Sequence, residues 1–311
     1  MNIIFMGTPN FAVPSLKLLA ANNNILAVFS QPARPNGRGM KTIESPIENE
    51  AKKLNLKTIT PYTLKDDKIF LEYKKLNPDI VIVVAYGLIL PERFLRVPKF
   101  GCINGHASLL PRWRGAAPIQ RAIEAGDNKT GSCIMIMEKE MDTGPIILSK
   151  KINIDDNDTS KLLHDKLSQL TAEMLIKTIE NYKNGKISIV KQSLKGITYA
   201  NKIDKNESKV NWYQSAKEIS NKIRAFNPYP GTFTNGPNGL IKIVAANAID
   251  KKHSFEPGTV VDTNKKITIA CGKQSMLEIK ELQKPGKNII SSLAFLNGTH
   301  ISIGEKFGNG E

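Results

Sequence analysis

The sequence predicts a mostly parallel α/β sheet domain followed by a small antiparallel β-barrel domain. Over the first 189 residues, apolar strand-like runs alternate with amphipathic helical segments, a pattern typical of parallel sheets covered by helices. From residue 239 onward, short β runs are separated by Gly, Pro and Asn turns, which favours a barrel. A length of 311 residues also agrees with two domains.

The elements of the first domain follow from periodicity and from start and stop signals. The run at 79–85 is apolar throughout, which indicates a strand buried on both faces. Ser45 as N-cap, Pro46 at the first helical position and Glu48 completing a capping box predict the start of a helix. The other predicted elements are strands at 2–6, 25–29, 101–104, 132–137 and 146–149, and helices at 11–21, 66–76 and 160–183.

A polar segment without periodic apolar residues separates the two predicted domains. Residues 1–189 are therefore assigned to the first domain, residues 190–207 to a linker and residues 208–311 to the barrel domain, which contains a short helix at 216–226. The chain carries a formal charge of +15, and the part after residue 190 is denser in positive charge. This charge favours a polyanionic partner such as nucleic acid, although solvated lysines alone would also produce it.

Several classes of protein are disfavoured by the motifs that the sequence lacks. No G-x-G-x-x-G follows the first strand and no Walker A motif occurs, so neither a nicotinamide dinucleotide nor ATP is expected. The three cysteines and four histidines are scattered, which argues against a metal site and a disulfide framework. The longest strongly apolar run is far shorter than the roughly 20 residues that span a membrane, and no signal-peptide pattern is seen. A cytoplasmic monomer without membrane contact is expected.

The residues whose side chains are best suited to catalysis lie in the stretch GCINGHASLLPRWRGAAPIQ, residues 101–120. Asn104 and His106 lie in it, and Asp142 follows in the turn-forming MDTGPI. An amide N–H can stabilise a tetrahedral oxyanion, an imidazole can move the proton of an attacking amine, and a carboxylate can fix the tautomer of that imidazole. Together these residues predict transfer of an acyl-type group. Taken singly, each has a plainer interpretation: a surface histidine, an Asn-Gly turn and an Asp-Thr-Gly turn.

Arginine is concentrated in two loops that together hold five of the eight arginines of the chain. The planar guanidinium suits phosphates and carboxylates better than the ammonium of lysine. The clustering predicts an anionic substrate, with mere solvation of the loops as the alternative. The five residues are Arg34, Arg38, Arg112, Arg114 and Arg121.

The segment INGHASLLPRWRGAAPIQ resembles the hallmark of the folate-dependent formyltransferases, N-x-H-x-S-L-L-P with an acid downstream in D-T-G. VVAYGLILP at 83–91 and MDTGPI at 141–146 are similar to the same family. Three further segments, IIFMGTPNFAVPSL, QPARPNGRGMK and IRAFNPYPG, resemble the members that act on tRNA. The resemblance covers nearly the whole chain.

This resemblance implies a Rossmann-like catalytic domain and an OB-type barrel that holds tRNA. Asn104, His106 and Asp142 would catalyse transfer of the formyl group of 10-formyltetrahydrofolate, without a metal, to the α-amino group of methionine on initiator tRNA. The residues implied to form the folate pocket are Tyr86, Gly87, Leu88, Ser108, Leu109, Leu110 and Pro111. The residues implied to reach the tRNA acceptor stem are Arg34, Arg38 and Lys41.

Gly105 departs from the pattern of the family, which usually has a bulkier apolar residue such as valine between the catalytic Asn and His. Glycine is conformationally looser, so weaker preorganisation and a slower rate are expected. Two other functions remain open from the sequence. One is formylation of a small amine, such as a nucleotide sugar or glycinamide ribonucleotide, and the other is RNA binding by a degenerate enzyme core.

Overall fold

The computed structural model describes residues 1–36 and 41–308. The chain divides into two compact units. The first unit comprises Met1–Pro118, Lys129–Asn153 and His164–Ala200, and the second comprises Ile119–Asn128, Ile154–Leu163 and the chain from Asn201 onward. The division into domains 1–189 and 208–311, joined by a linker at 190–207, stays a prediction.

The bounds of the elements up to residue 200 are as follows. The strands are β1 (Asn2–Gly7), β2 (Asn24–Phe29), β3 (Arg34–Asn36), β4 (Lys41–Ile43), β5 (Thr58–Ile59), β6 (Ile80–Val84), β7 (Cys102–His106), β8 (Arg114–Gly115), β9 (Lys129–Ile136), β10 (Ile146–Asn153) and β11 (Tyr199–Ala200). The helices are α1 (Val13–Asn22), α2 (Pro46–Lys53), α3 (Asp67–Lys75), α4 (Glu92–Leu95), α5 (Pro118–Glu124) and α6 (Ser160–Lys183).

The first unit is built on a seven-stranded sheet with the order β10-β9-β7-β6-β1-β2-β5. The strands from β7 to β5 are parallel, whereas β9 runs antiparallel to β7 and β10 antiparallel to β9. All five residues of β6 are buried, as the continuous apolar run predicted. The prediction of a mostly parallel α/β sheet is confirmed.

The start of α2 shows how local signals place the helices. The Ser45 side chain accepts a hydrogen bond from the backbone N–H of Glu48 at 2.9 Å, as expected of an N-cap. The Glu48 carboxylate pairs with Lys52 at 3.1 Å, so only the Ser45 half of the predicted capping box forms among the described residues. The segment at 11–21 begins with a 3₁₀ turn, Asn10–Ala12, before α1 starts at Val13.

The second unit contains an antiparallel sheet, as expected of a small barrel. In the described residues its strands have the order β12-β13-β16-β15-β14, and β17 pairs with β16. These elements are β12 (Thr232–Gly236), β13 (Gly239–Ile249), β14 (Val260–Asp262), β15 (Ile267–Cys271), β16 (Ser275–Gln283), β17 (Ile290–Ser291), α7 (Ala216–Phe226) and α8 (Ser292–Asn297). The prediction of a small antiparallel β domain after the parallel sheet is confirmed.

Helix α7 closes the core of the second unit. Ala216, Ile219 and Ile223 belong to the same buried apolar cluster as residues of the sheet. Ser215 and Glu218 form a reciprocal capping box at the start of the helix. The hydrogen bonds from Ser215 lower the pKa of the Glu218 carboxyl to about 2. Within the described ranges, none of the helices has the length and apolarity to cross a bilayer.

Candidate active site

Strand β7 places Asn104 and His106 at the carboxyl edge of the parallel sheet. The two residues are separated by one position, so their side chains leave the same face of the strand. Asn104 lies between Val83 of β6 and Met135 of β9 in the ladder. Because β7 is paired on both sides here, the backbone that carries both side chains is fixed.

Asp142 reaches the same place from the turn between β9 and β10. Its backbone has φ of +55°, a left-handed conformation that Asp adopts more readily than most residues. Its Oδ2 accepts a hydrogen bond from the Gly115 N–H at 2.8 Å and lies 3.6 Å from Nδ1 of His106. The His106 and Asp142 side chains are 7% and 10% exposed, so the pair is shielded from water.

A close approach explains the glycine of the Asp-Thr-Gly sequence. A Cβ atom on Gly144 would lie 1.8 Å from the carbonyl oxygen of Ile136, the last residue of β9. Any side chain at position 144 would therefore push the turn away from the sheet edge. The glycine lets the turn fold back so that Asp142 faces His106.

The tautomer of His106 is set by a backbone carbonyl. Nε2 lies 2.9 Å from the carbonyl oxygen of Trp113, and because a carbonyl can only accept, Nε2 carries the proton. In the neutral imidazole this leaves Nδ1 with its lone pair on the side of Asp142. The expectation that the carboxylate fixes the tautomer is therefore wrong. Asp142 instead forms an ion pair with His106 when Nδ1 has accepted a proton.

The Asn104 carboxamide is available to a substrate. The residue is partly exposed, and in the parts of the chain that the structure describes its side chain has no hydrogen-bond partner. Its N–H groups can therefore donate to a substrate oxygen without first breaking a bond within the protein. The structure thus brings His106 and Asp142 together and places Asn104 on the same strand face.

The segments at 86–88 and 108–111 follow the adjacent parallel strands β6 and β7, at the edge where α/β sheets bind ligands. The carbonyl of Tyr86 accepts hydrogen bonds from Thr8 Oγ1 at 2.7 Å and from Gln31 Nε2 at 2.9 Å. Tyr86 itself is only 2% exposed and belongs to the apolar core. Burial raises the pKa of its hydroxyl. The ring and the carbonyl of Tyr86 are therefore engaged within the protein, and Gly87 and Leu88 are the residues of this segment that reach the surface.

Ser108 anchors the second segment. Its Oγ donates to the carbonyl oxygen of Arg112 at 2.6 Å, closing the loop 108–112. Leu109 and Pro111 are partly exposed, and Leu110 is buried. Together with the exposed Gly87 and the partly buried Leu88, they offer apolar surface beside open backbone.

Two of the clustered arginines are held by the protein itself. Arg114 is buried, and its guanidinium donates to Oε1 of Gln192 at 3.1 and 2.7 Å. Arg121 binds the Glu207 carboxylate through two nitrogens, at 2.7 and 2.9 Å. These bonds favour a structural role for both arginines, and their interpretation as anion-binding residues stays a prediction. Arg112 lies over the Trp113 ring at 4.3 Å.

Two of the three residues predicted to contact tRNA, Arg34 and Lys41, lie on a pair of short strands that the sequence did not reveal. Strands β3 and β4 pair antiparallel, with Arg34 opposite Ile43 and Asn36 opposite Lys41. Arg34 is exposed. Arg38 lies outside the described residues, as does the side chain of Lys41.

Sequence comparison gives the same family for both units. Residues 1–179 match the family described as formyl transferase, and residues 202–300 match its C-terminal domain. The chain is 45% identical over 302 residues to methionyl-tRNA formyltransferase of Coxiella burnetii (strain CbuK_Q154), covering 96% of this chain and 95% of that protein. The corresponding protein of Rickettsia felis is 44% identical over 301 residues, covering 97% and 98%.

Solved structures of formyltransferases and of a related protein share the fold of this chain. An N-formyltransferase from Helicobacter canadensis, in complex with folinic acid and dTDP-3-aminofucose, has a TM-score of 0.69 at 22% identity, covering 89% of this chain and 98% of that one. HypX from Aquifex aeolicus, in complex with tetrahydrofolic acid, has a TM-score of 0.59 at 15% identity, covering 94% of this chain and 46% of that one. At these identities the likeness concerns the fold alone.

Proposed function

The chain belongs to the methionyl-tRNA formyltransferase family, and we propose that it transfers the formyl group of 10-formyltetrahydrofolate to the α-amino group of methionine on initiator Met-tRNA. The observation that carries the proposal is the His106–Asp142 pair, 3.6 Å apart and shielded from water, at the edge where Asn104 lies. The product, formylmethionyl-tRNA, serves translation initiation. We expect the enzyme to act as a cytoplasmic monomer.

His106 is the base in this proposal. The amine must lose a proton as it attacks the formyl carbon, and Nδ1 can take it because Nε2 is occupied by the Trp113 carbonyl. The imidazolium that results lies within ion-pair distance of Asp142. The carboxylate therefore stabilises the charge that the reaction creates. The imidazolium then returns the proton to the folate nitrogen as the bond between that nitrogen and the formyl carbon breaks, which releases tetrahydrofolate.

Asn104 is the hydrogen-bond donor that stabilises the oxyanion in this proposal. The formyl oxygen gains negative charge as the tetrahedral centre forms, and an unpaired carboxamide N–H can donate to it. A donor of this kind lowers the barrier by about 3 kcal/mol. The folate supplies an activated formyl group, so no metal is needed in this scheme.

Direct attack by the amine is favoured over a covalent enzyme intermediate. Cys133 lies opposite His106 on β9, and it is the thiol that this register brings nearest to the pair. Burial raises the pKa of the Cys133 thiol, which keeps it neutral and a poor nucleophile. Cys133 is therefore assigned to the core.

The folate pocket in this proposal is formed by the segments that follow β6 and β7. Gly87, Leu88, Leu109 and Pro111 would line it, and Ser108 would hold its loop in shape. Tyr86 and Leu110 would support it from the core. The mixture of open backbone and apolar side chains is what supports this assignment.

The segment at 34–43, which contains Arg34, Arg38 and Lys41, is proposed to reach the acceptor stem of the tRNA. We expect Arg38→Ala to raise the KM for Met-tRNA about tenfold and to leave the KM for the folate unchanged, because a base-edge or phosphate contact contributes about 1–3 kcal/mol. Steady-state kinetics with each substrate varied in turn measure both constants. Arg96→Ala is the matched control, since Arg96 is exposed and its one ion-pair partner within residues 1–36 and 41–308 is Glu92. An equal change in both KM values would contradict a role confined to tRNA.

The function itself is tested by transfer of radiolabelled formyl from 10-formyltetrahydrofolate. We expect label on initiator Met-tRNA and none on free methionine or on a nucleotide amino sugar. Label on the amino sugar alone would identify a small-amine formyltransferase. Binding of tRNA without transfer to any acceptor would identify an RNA-binding protein with a degenerate core.

A further inference from the structure

The segment from Gln192 to Ala200, within the predicted linker, is tied to the turn that carries Asp142. The Gln192 carboxamide donates through Nε2 to two carbonyl oxygens of that turn, Asp142 at 2.8 Å and Gly144 at 2.7 Å. These two bonds fix the backbone on both sides of Thr143. They hold the turn in the left-handed conformation that Asp142 needs to face His106.

The other end of the same carboxamide is equally occupied. Oε1 of Gln192 accepts from Nε and Nη2 of Arg114 at 3.1 and 2.7 Å. Both donors and both lone pairs of the carboxamide are thus satisfied, so its orientation is defined. Arg114 is buried and cannot turn away to solvent. Gln192 therefore joins β8 to the catalytic turn through a fixed side chain.

A direct bond runs parallel to this bridge. Gly115, the neighbour of Arg114 on β8, donates its N–H to Oδ2 of Asp142 at 2.8 Å. The Gly115 N–H on β8 therefore holds the Asp142 carboxylate directly. Gln192 holds the Asp142 backbone in a fixed position relative to the same strand. Loss of the bridge would leave the Gly115 bond as the main contact that orients the carboxylate.

The same segment also supports the partner of His106. Thr198 Oγ1 accepts from the Trp113 N–H at 2.9 Å, and the Thr198 carbonyl accepts from the Arg114 N–H at 3.0 Å. Trp113 in turn presents the carbonyl that sets the tautomer of His106. Both members of the acid–base pair are thus braced by residues 192–198.

We propose that Gln192 is a positioning residue that holds Asp142 at ion-pair distance from His106. This inference rests on the proposed function. Gln192 does not itself face the reacting atoms, because all its polar atoms are bonded to the protein. Its effect on catalysis is exerted through the placement of Asp142.

The test is Gln192→Met, which keeps the length of the side chain and removes all four hydrogen bonds. We expect kcat for formyl transfer to fall about 10- to 100-fold, with the KM values for Met-tRNA and folate unchanged. Gln169→Met is the matched control, because Gln169 is exposed on α6 and, among the described residues, its side chain hydrogen-bonds only to Glu173. A kcat equal to that of the wild type in an active preparation would overturn the inference and leave the proposed function standing.

A double-mutant cycle separates positioning from general loss of structure. In the background of Asp142→Asn, Gln192→Met should cost no further activity, because the carboxylate that it positions is already gone. An equal fold-loss in both backgrounds would contradict positioning of Asp142.

An independent readout does not need activity. Hydrogen exchange of the Gly115 N–H, measured by NMR, should become about tenfold faster in Gln192→Met and stay unchanged in Gln169→Met. Unchanged exchange in Gln192→Met would overturn the inference. Absence of formyl transfer to Met-tRNA by the wild type would instead contradict the proposed function, so the two failures can be told apart.

Discussion

Asn104→Ala and Asp142→Asn each reduce the turnover of formyl transfer by a factor of about 100 or more, while the free energy of unfolding changes little. The first variant removes the only group proposed to donate to the developing oxyanion. The second removes the negative charge that faces the imidazolium, yet asparagine keeps an oxygen for the Gly115 N–H and tolerates the left-handed backbone. Single-turnover rates measured with saturating folate isolate the chemical step.

Matched controls separate these effects from general damage. Asn22→Ala and Asp67→Asn change the same residue types at exposed positions. In the part of the chain that the structure describes, the Asn22 side chain bonds only to the Leu18 carbonyl and the Asp67 side chain pairs only with Arg93. Both controls should keep the wild-type rate. Near-normal rates in Asn104→Ala and Asp142→Asn would contradict the catalytic assignment. Lost activity together with a lost unfolding transition would point to misfolding.

Hydrophobic periodicity and helix start and stop signals predicted the long helices and the main strands of the sheet, but not the short strands β3, β4, β5, β8 and β11 or the short helices α4 and α5. The long amphipathic pattern that stops at Gly185 predicts a helix at 160–183, and α6 has these bounds. Helix α7 likewise runs over 216–226, where a serine precedes it and a glutamate follows three residues later. These signals act within a few residues of the chain, so they can be seen without knowing the tertiary structure.

The contacts that complete the candidate site could not be predicted in this way. Trp113 contributes a backbone carbonyl, for which no side chain is a signal. Gln192 lies in a polar segment and bonds to carbonyls 48 and 50 residues earlier in the chain. The segment was predicted to be a linker because it is polar and has no periodic apolar residues. Hydrogen bonds from a side chain to a distant backbone leave no such pattern in the sequence. Arg114 and Arg121 likewise look the same in sequence whether their partner is a protein carboxamide, a protein carboxylate or a substrate.

Gly105 illustrates a further limit of the sequence. Its lack of a side chain led to the expectation of a loose backbone between Asn104 and His106. In the structure Gly105 pairs with Ile134 in the ladder, and a Cβ atom placed on it would lie 2.5 Å from Cγ2 of Thr171 on α6. The space that a larger residue would fill is therefore already taken by the Thr171 methyl group.

From this packing we predict a large effect of a substitution at position 105 on the free energy of unfolding. Gly105→Ala should lower the free energy of unfolding by about 1–3 kcal/mol, because the new methyl overlaps a side chain that cannot move away. Thr171 is fully buried, and its Oγ1 is bonded to Ser132 Oγ and to the Leu167 carbonyl, both at 2.7 Å. The sign is opposite to the small gain that alanine usually brings where the backbone allows it. Urea unfolding of the variant and the wild type measures the difference.

Thr171→Ser is the compensating change, since serine removes the overlapping methyl and keeps the hydroxyl that bonds Ser132 and Leu167. Alone it should destabilise by about 1 kcal/mol, the loss of one buried methyl. In the double variant the alanine methyl enters the space left by Cγ2, so the two losses should cancel in part, with a coupling of about 0.5–3 kcal/mol. Additive losses would show that the Thr171 methyl does not limit the size of residue 105. Compensation would mean that a valine at position 105 requires a smaller residue at position 171. The size of residue 105, between Asn104 and His106, would then be matched to the size of residue 171 on α6, and β7 would keep its pairing in the sheet.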